Sequence, residues 1–128
     1  MVRIEQDGAL ISLHFLPPYA AEDERLYLDA LGRVGRHAQR FALLAVFGGS
    51  ARLSQAAERE QALWFKATRS HFNSLCQAIA LVRPGASEKM ATTFRRLWSI
   101  PLEVFEDEAE ARLFLARHLD PLVVGGSG

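Results

Sequence analysis

Phe41-Ala42-Leu43-Leu44-Ala45-Val46-Phe47-Gly48-Gly49-Ser50 is the stretch whose reading decides the fold. From Phe41 to Phe47 no polar side chain interrupts the run. That is the pattern of a central strand buried on both faces, as parallel strands are. Gly48-Gly49-Ser50 then ends it. Downstream the spacing predicts a long helix over about Leu53–Phe72, with Ser54 as its N-cap. A second apolar strand follows over Gln77–Val82, and Pro84-Gly85 turns the chain. Ser87 opens a third helix to Trp98, where Met90, Phe94, Leu97 and Trp98 fall at helical spacing. Pro101 stops it, and Leu102–Phe105 reads as a short strand. Asp107 and Glu110 form an Asp variant of the capping box. They open a last helix with Ala111, Phe114, Leu115, His118 and Leu119 facing inward.

Upstream, Ala21 to about Val34 predicts a helix with an apolar stripe of Leu26, Tyr27, Ala30 and Val34. Glu22, Asp23 and Glu24 sit in its first turn, where negative charge suits the helix dipole. Before it, Val2–Gln6 and Leu10–Leu16 alternate at period two around a tight turn at Asp7-Gly8, and Pro17-Pro18 ends the second strand. The expected order is ββαβαβαβα. This is an α/β fold whose mixed sheet opens with an antiparallel hairpin and continues in parallel strands joined by right-handed crossovers. Residues 1–122 are expected to form one domain and 123–128, with their Gly-Gly-Ser-Gly ending, a flexible tail.

Composition narrows the function classes. At 128 residues the chain suits one domain, and 49% apolar with 23% charged residues is a globular balance. Lys plus Arg and Asp plus Glu are 15 each, without the basic excess of a dedicated nucleic-acid binder. The lone Cys76 excludes an internal disulfide and fits a reducing compartment. Met1 to Asp7 show no apolar signal segment, and no run approaches the roughly 20 residues of a membrane span. A cytoplasmic protein is expected. His14, His37, His71 and His118 are scattered over separate elements without metal-ligand spacing, so neither metal nor cofactor is expected.

The element order, the strand-loop-helix at Phe41–Ser50, the strand Ala78–Val82 with its capped helix, and the ending Pro101–Arg112 together resemble the STAS superfamily. They are closest to its SpoIIAA-like branch, from Val2 to Leu119. The resemblance implies a bacterial regulatory or binding module. For this branch a relation to lipid-binding SEC14-type domains is often suggested. In anti-sigma-factor antagonists of the superfamily, a serine in an Asp-Ser-Ser-Gly motif at the start of the second helix is phosphorylated. That motif is absent here; Ser50 and Ser54 lie near its place, with no acidic residue closely preceding either.

Two groups of residues are candidate sites. The loop of Gly48, Gly49, Ser50 and Arg52, with Ser54, lies between a strand and a helix N-terminus, a place that attracts anions. It is neither a P-loop nor a dinucleotide fingerprint, and a plain connecting turn explains it as well. On the long helix Leu53, Ala56, Ala57, Trp64, Ala67 and Leu75 share a face with Glu60 and His71, while Phe65 and Phe72 form a second stripe about a quarter-turn away. Glu60 and His71 are about 16 Å apart along the axis and cannot pair. Each either anchors a ligand or is satisfied locally, His71 on a backbone carbonyl. If Phe65 and Phe72 are exposed, they make a patch for a homodimer or another protein partner. If Trp64 and Phe65 border a cavity, they make a groove for a small apolar ligand such as a fatty acid. The expectation is a non-catalytic interaction module acting as a homodimer, with an apolar-ligand carrier or sensor as the alternative. An enzyme is the remote third reading, because no nucleophile, base and oxyanion site converge in the sequence.

Overall fold

The computed structural model describes residues 1–49 and 53–119. In chain order the elements are β1 (Val2–Asp7), β2 (Leu10–Phe15), α1 (Asp23–Gly35), β3 (Phe41–Phe47), α2 (Gln55–Leu75), β4 (Cys76–Val82), α3 (Glu88–Arg95), β5 (Leu102–Phe105) and α4 (Glu108–His118). The expected tail, 123–128, lies outside the described residues.

The five strands lie side by side in sequence order. β1 and β2 pair antiparallel through the Asp7–Leu10 turn, and β2, β3, β4 and β5 are parallel. Stepping always the same way across the sheet with right-handed crossovers sends α1, α2 and α3 to one face. Burial agrees. Leu43, Ala45, Ile79 and Leu81 pack toward Val34, Phe72 and Trp98, while Leu13 and Phe15 meet Tyr27, Leu28 and Leu31 of α1. The alternate residues Ala42, Leu44, Val46, Ala78, Ala80 and Val82 turn to the other face, against Ala111 and Leu115 of α4. Every residue of β3 from Phe41 to Val46 is buried, which is why that run carries no polar residue.

The caps are where the sequence puts them. The Ser54 hydroxyl accepts from Ala57 N–H, Ser87 from Met90 N–H and Asp107 from Ala109 N–H. Helix faces and ends differ from expectation in several places. On α1, Leu26 is 46% exposed; Leu28 and Leu31 join Tyr27, Ala30 and Val34 inside. α3 ends at Arg95 rather than Trp98, and Trp98 enters the core from the segment that follows. On α4, His118 is exposed; Ala111 and Leu115 are buried against the sheet, with Phe114 and Leu119 packed there partly buried.

Arg95 closes the far side of the sheet. Ile79 N–H bonds the Pro101 carbonyl and Arg83 N–H the Phe105 carbonyl, so the Leu102 carbonyl points to the free edge of β5. Arg95 Nε donates to that carbonyl at 3.0 Å, and its guanidinium also pairs with Glu103 at 2.6 Å.

Candidate ligand cavity

The three helices on one face do not fill the space above the sheet. Between α1, α2, α3 and the carboxyl halves of β2, β3 and β4 lies a cavity of about 200 Å³. Its floor is Leu13, Leu43, Ala45, Ile79 and Leu81, the residues that alternation turns toward the helices. Two groups of aromatic side chains contribute to its walls. One joins Phe15, Tyr19, Tyr27 and Phe47, with Phe15 centred 5.5 Å from Tyr19 and 5.0 Å from Tyr27, and Tyr27 6.1 Å from Phe47. The other joins Trp64, Phe65 and Trp98, with Trp98 edge to face to Trp64 at 6.3 Å and to Phe65 at 5.5 Å, Trp64 tilted against Phe65 at 5.5 Å, and Phe94 beside them. Phe72 stacks on Trp98 at 5.2 Å and supports that wall from behind.

The near-solvent end is built at Gly48-Gly49. A Cβ on Gly48 would collide with the Tyr19 hydroxyl and come within 2.5 Å of Pro17 Cδ. Only glycine lets Tyr19 lie across the end of β3. On the other side Gly49 sits against Pro84, next to Arg83. Tyr19 and Arg83 thus flank the turn, and both line the cavity.

The polar groups of the lining are few, and most are unpaired. The Tyr27 hydroxyl donates to Gln61 Oε1 at 2.5 Å. Burial pushes the Tyr27 phenol above its ordinary pKa. Buried and without a hydrogen-bond partner among the described residues are the Tyr19 hydroxyl, Arg83 Nε, Trp98 Nε1 and Trp64 Nε1. All four belong to residues lining this cavity. Native structures leave few such groups, and each calls for a reason. For Trp64 the reason is local: its Nε1 abuts Gly35.

Of the sequence candidates, the structure gathers only some. Trp64, Phe65, Gly48 and Gly49 line the cavity. Phe72 is 0% exposed, enclosed by Phe41, Trp64 and Trp98, so it belongs to the core and to no surface patch. α2 is rotated from the expected face: Ala57, Gln61, Trp64, Phe65, Thr68 and Phe72 turn inward, while Ala56, Ala67 and Glu60 turn out. Glu60 is not a cavity anchor. Its two oxygens hold Arg25 of α1 at 2.6 and 3.1 Å. His71 is not one either; its Nε2 meets the His37 carbonyl at 2.5 Å. The Ser54 hydroxyl caps α2 and donates to Glu24 at 2.9 Å, so a phosphate there would face a carboxylate. Ser50 and Arg52 lie outside the described residues. Cys76 is buried, and burial raises its thiol pKa to about 12, which leaves it inert.

Tyr19, Tyr27, Gln61, Arg83 and Trp98 are site residues that sequence reasoning did not single out. Tyr19 and Arg83 each adjoin a proline-bearing turn at the carboxyl end of a strand, and that was the only local signal. Among the described residues no group of His, Cys, Asp and Glu is placed to hold a metal, and no helix is long and apolar enough to cross a membrane.

The architecture has a counterpart among solved structures. An uncharacterized protein of the DUF3478 family from Shewanella loihica PV-4, described as having a SpoIIAA-like fold, superposes with a TM-score of 0.61 at 14% identity, covering 90% of this chain and 92% of that one. Pseudomonas aeruginosa DspI aligns over 96% of this chain and 77% of its own at 14% identity, but with a TM-score of 0.38, too low to bear on the architecture. No family model matches the chain, and no curated protein matches its sequence. The fold is therefore SpoIIAA-like, as the sequence resemblance implied.

Proposed function

We propose that the protein is a non-catalytic binding module that takes a small, largely apolar ligand into the cavity between its sheet and α1, α2 and α3. The observation that carries this reading is a walled apolar space with unpaired polar groups in its lining. Ligand sites are mostly apolar and pre-formed, with a few convergent polar groups. A space of about 200 Å³ suits a small occupant; an engineered cavity of roughly 150 Å³ accepts benzene. The described lining offers no carboxylate, imidazole or thiol, and its tyrosines are poor bases, which favours binding over turnover. Of the two aromatics expected to carry a dimer contact, Phe72 is enclosed and only the half-buried Phe65 borders a surface hollow, beside Leu63 and Leu97, so the patch is smaller than expected. The cavity reading therefore takes precedence over the dimer reading.

The test uses 3-phenylpropanol as a neutral probe, followed by the fluorescence of Trp64 and Trp98 in the wall. Saturable binding is expected in the wild type. Ala45→Leu, on the cavity floor, should abolish it without lowering the melting temperature, because the added carbons enter existing space. No saturable binding, together with no small molecule in native mass spectra of freshly purified protein, would sink the reading.

A further inference from the structure

The polar groups of the cavity say more about the occupant, given the reading that the cavity is a ligand site. Arg83 Nε and Trp98 Nε1 can only donate, and the Tyr19 hydroxyl has no acceptor to donate to. Among the described residues no carboxylate pairs with Arg83. Four arginines of the chain pair with carboxylates: Arg3 with Glu5, Arg25 with Asp29 and Glu60, Arg95 with Glu88 and Glu103, Arg112 with Glu108. Arg83 is half-buried, and its Nε lies out of contact with water. A buried donor without an acceptor is costly, and an acceptor from outside, above all an anionic one, relieves it.

Its position selects where that anion sits. Arg83 follows β4 directly, and Tyr19 reaches across the end of β3 at Gly48. Both are at the near-solvent end, while the floor and the two aromatic walls beyond them are apolar. The polar end of a ligand would thus meet the mouth, and its apolar end the interior. Among the described residues the mouth offers one guanidinium and one phenol, a set that matches a singly charged, planar head better than a doubly charged phosphate, which would call for more donors.

We infer that the ligand is a small monocarboxylic acid, its carboxylate seated on Arg83 and Tyr19 at the mouth and its ring or short chain packed between the Phe15–Tyr27–Phe47 and Trp64–Phe65–Trp98 walls. Trp98 Nε1 is 93% withdrawn with its residue and serves a second acceptor where the ligand carries one.

Two probes of one shape separate this from the reading it rests on. 3-Phenylpropanoate should bind the wild type at least about tenfold more tightly than 3-phenylpropanol, as a hydrogen bond to a charged group implies. Arg83→Gln should erase that preference, weakening the acid far more than the alcohol. Tyr19→Phe should reduce the preference by a smaller factor. Raised ionic strength should weaken the acid and not the alcohol. Equal binding of acid and alcohol by the wild type, or a preference that survives Arg83→Gln, overturns the carboxylate assignment while the apolar site stands. If neither probe binds, the site itself falls, and the assignment with it.

Discussion

At the scale of single residues, Gly35 shows how a general rule reverses in context. Replacing a glycine in a helix by alanine ordinarily stabilises by up to about 1 kcal/mol. Here an added Cβ would stand 2.8 Å from Trp64 Nε1 and 2.9 Å from Thr68 Cγ2, so α1 could not keep its distance from α2. Gly35→Ala should destabilise by about 1 to 3 kcal/mol in urea unfolding, the usual cost of overpacking; a stabilised variant would show that Trp64 has room to move. Residue identities of this kind are invisible in the sequence. Gly35 stands at the end of the predicted first helix, and nothing near it announces a tryptophan from a helix about thirty residues on. Arg83 and Tyr19 were hidden for the same reason. Each looks like an ordinary loop residue until the parallel strands bring their carboxyl ends together.

At the scale of elements, α1 and α2 are clasped along the top of the cavity. Arg25 holds Glu60 through two hydrogen bonds, Tyr27 bonds Gln61, and Glu24 receives both the backbone N–H and the hydroxyl of Ser54. Arg25 keeps the Glu60 carboxyl below its ordinary pKa. A carboxyl depressed in the folded state contributes stability above its unfolded value, near 4.3, and loses it as pH falls through the folded value. Both partners are about half exposed, so the contribution is small and salt-sensitive. Glu60→Gln should therefore melt slightly lower than wild type at pH 7, with the two curves converging once the pH drops below about 4. A gap that persists in acid would mean that the substitution acts by another route than charge. The existence of α2 and its cap at Ser54 were legible, because Gly-Gly-Ser punctuation and a serine cap are local signals. Its inward face was not. The alanines that seemed to extend one stripe carry little information about burial, and Ala56 and Ala67 are exposed while Thr68 is buried. The short α4 misled in the same way, since His118 continues a helical pattern beyond the sheet contact.

At the scale of the whole molecule, the burial pattern ranks the strands. β3 and β4 are covered on both faces and paired on both edges, whereas β1 lies at an edge with most residues exposed. Amides of β3 and β4 should be the last to exchange with deuterium and those of β1 among the first; protection of β1 equal to that of β3 would contradict this order. The fold at this scale was readable from one feature, the uninterrupted apolar run of β3. A strand buried on both faces demands helices on both, and alternating segments supply them. The cavity was not readable, since an unfilled volume is a property of how far helices stand from a sheet and no residue pattern encodes it.

The guanidinium laid along β5 has a consequence for how the molecule behaves in company. An open strand is a template on which a foreign or sister chain can lengthen the sheet, the step by which such proteins polymerise. With Arg95 already occupying the outward Leu102 carbonyl, that template is blocked at its first rung. At the opposite margin Arg3 and Glu5 set charged groups along β1. Strand-by-strand accretion is discouraged from either end, next to an interior that keeps an apolar hollow.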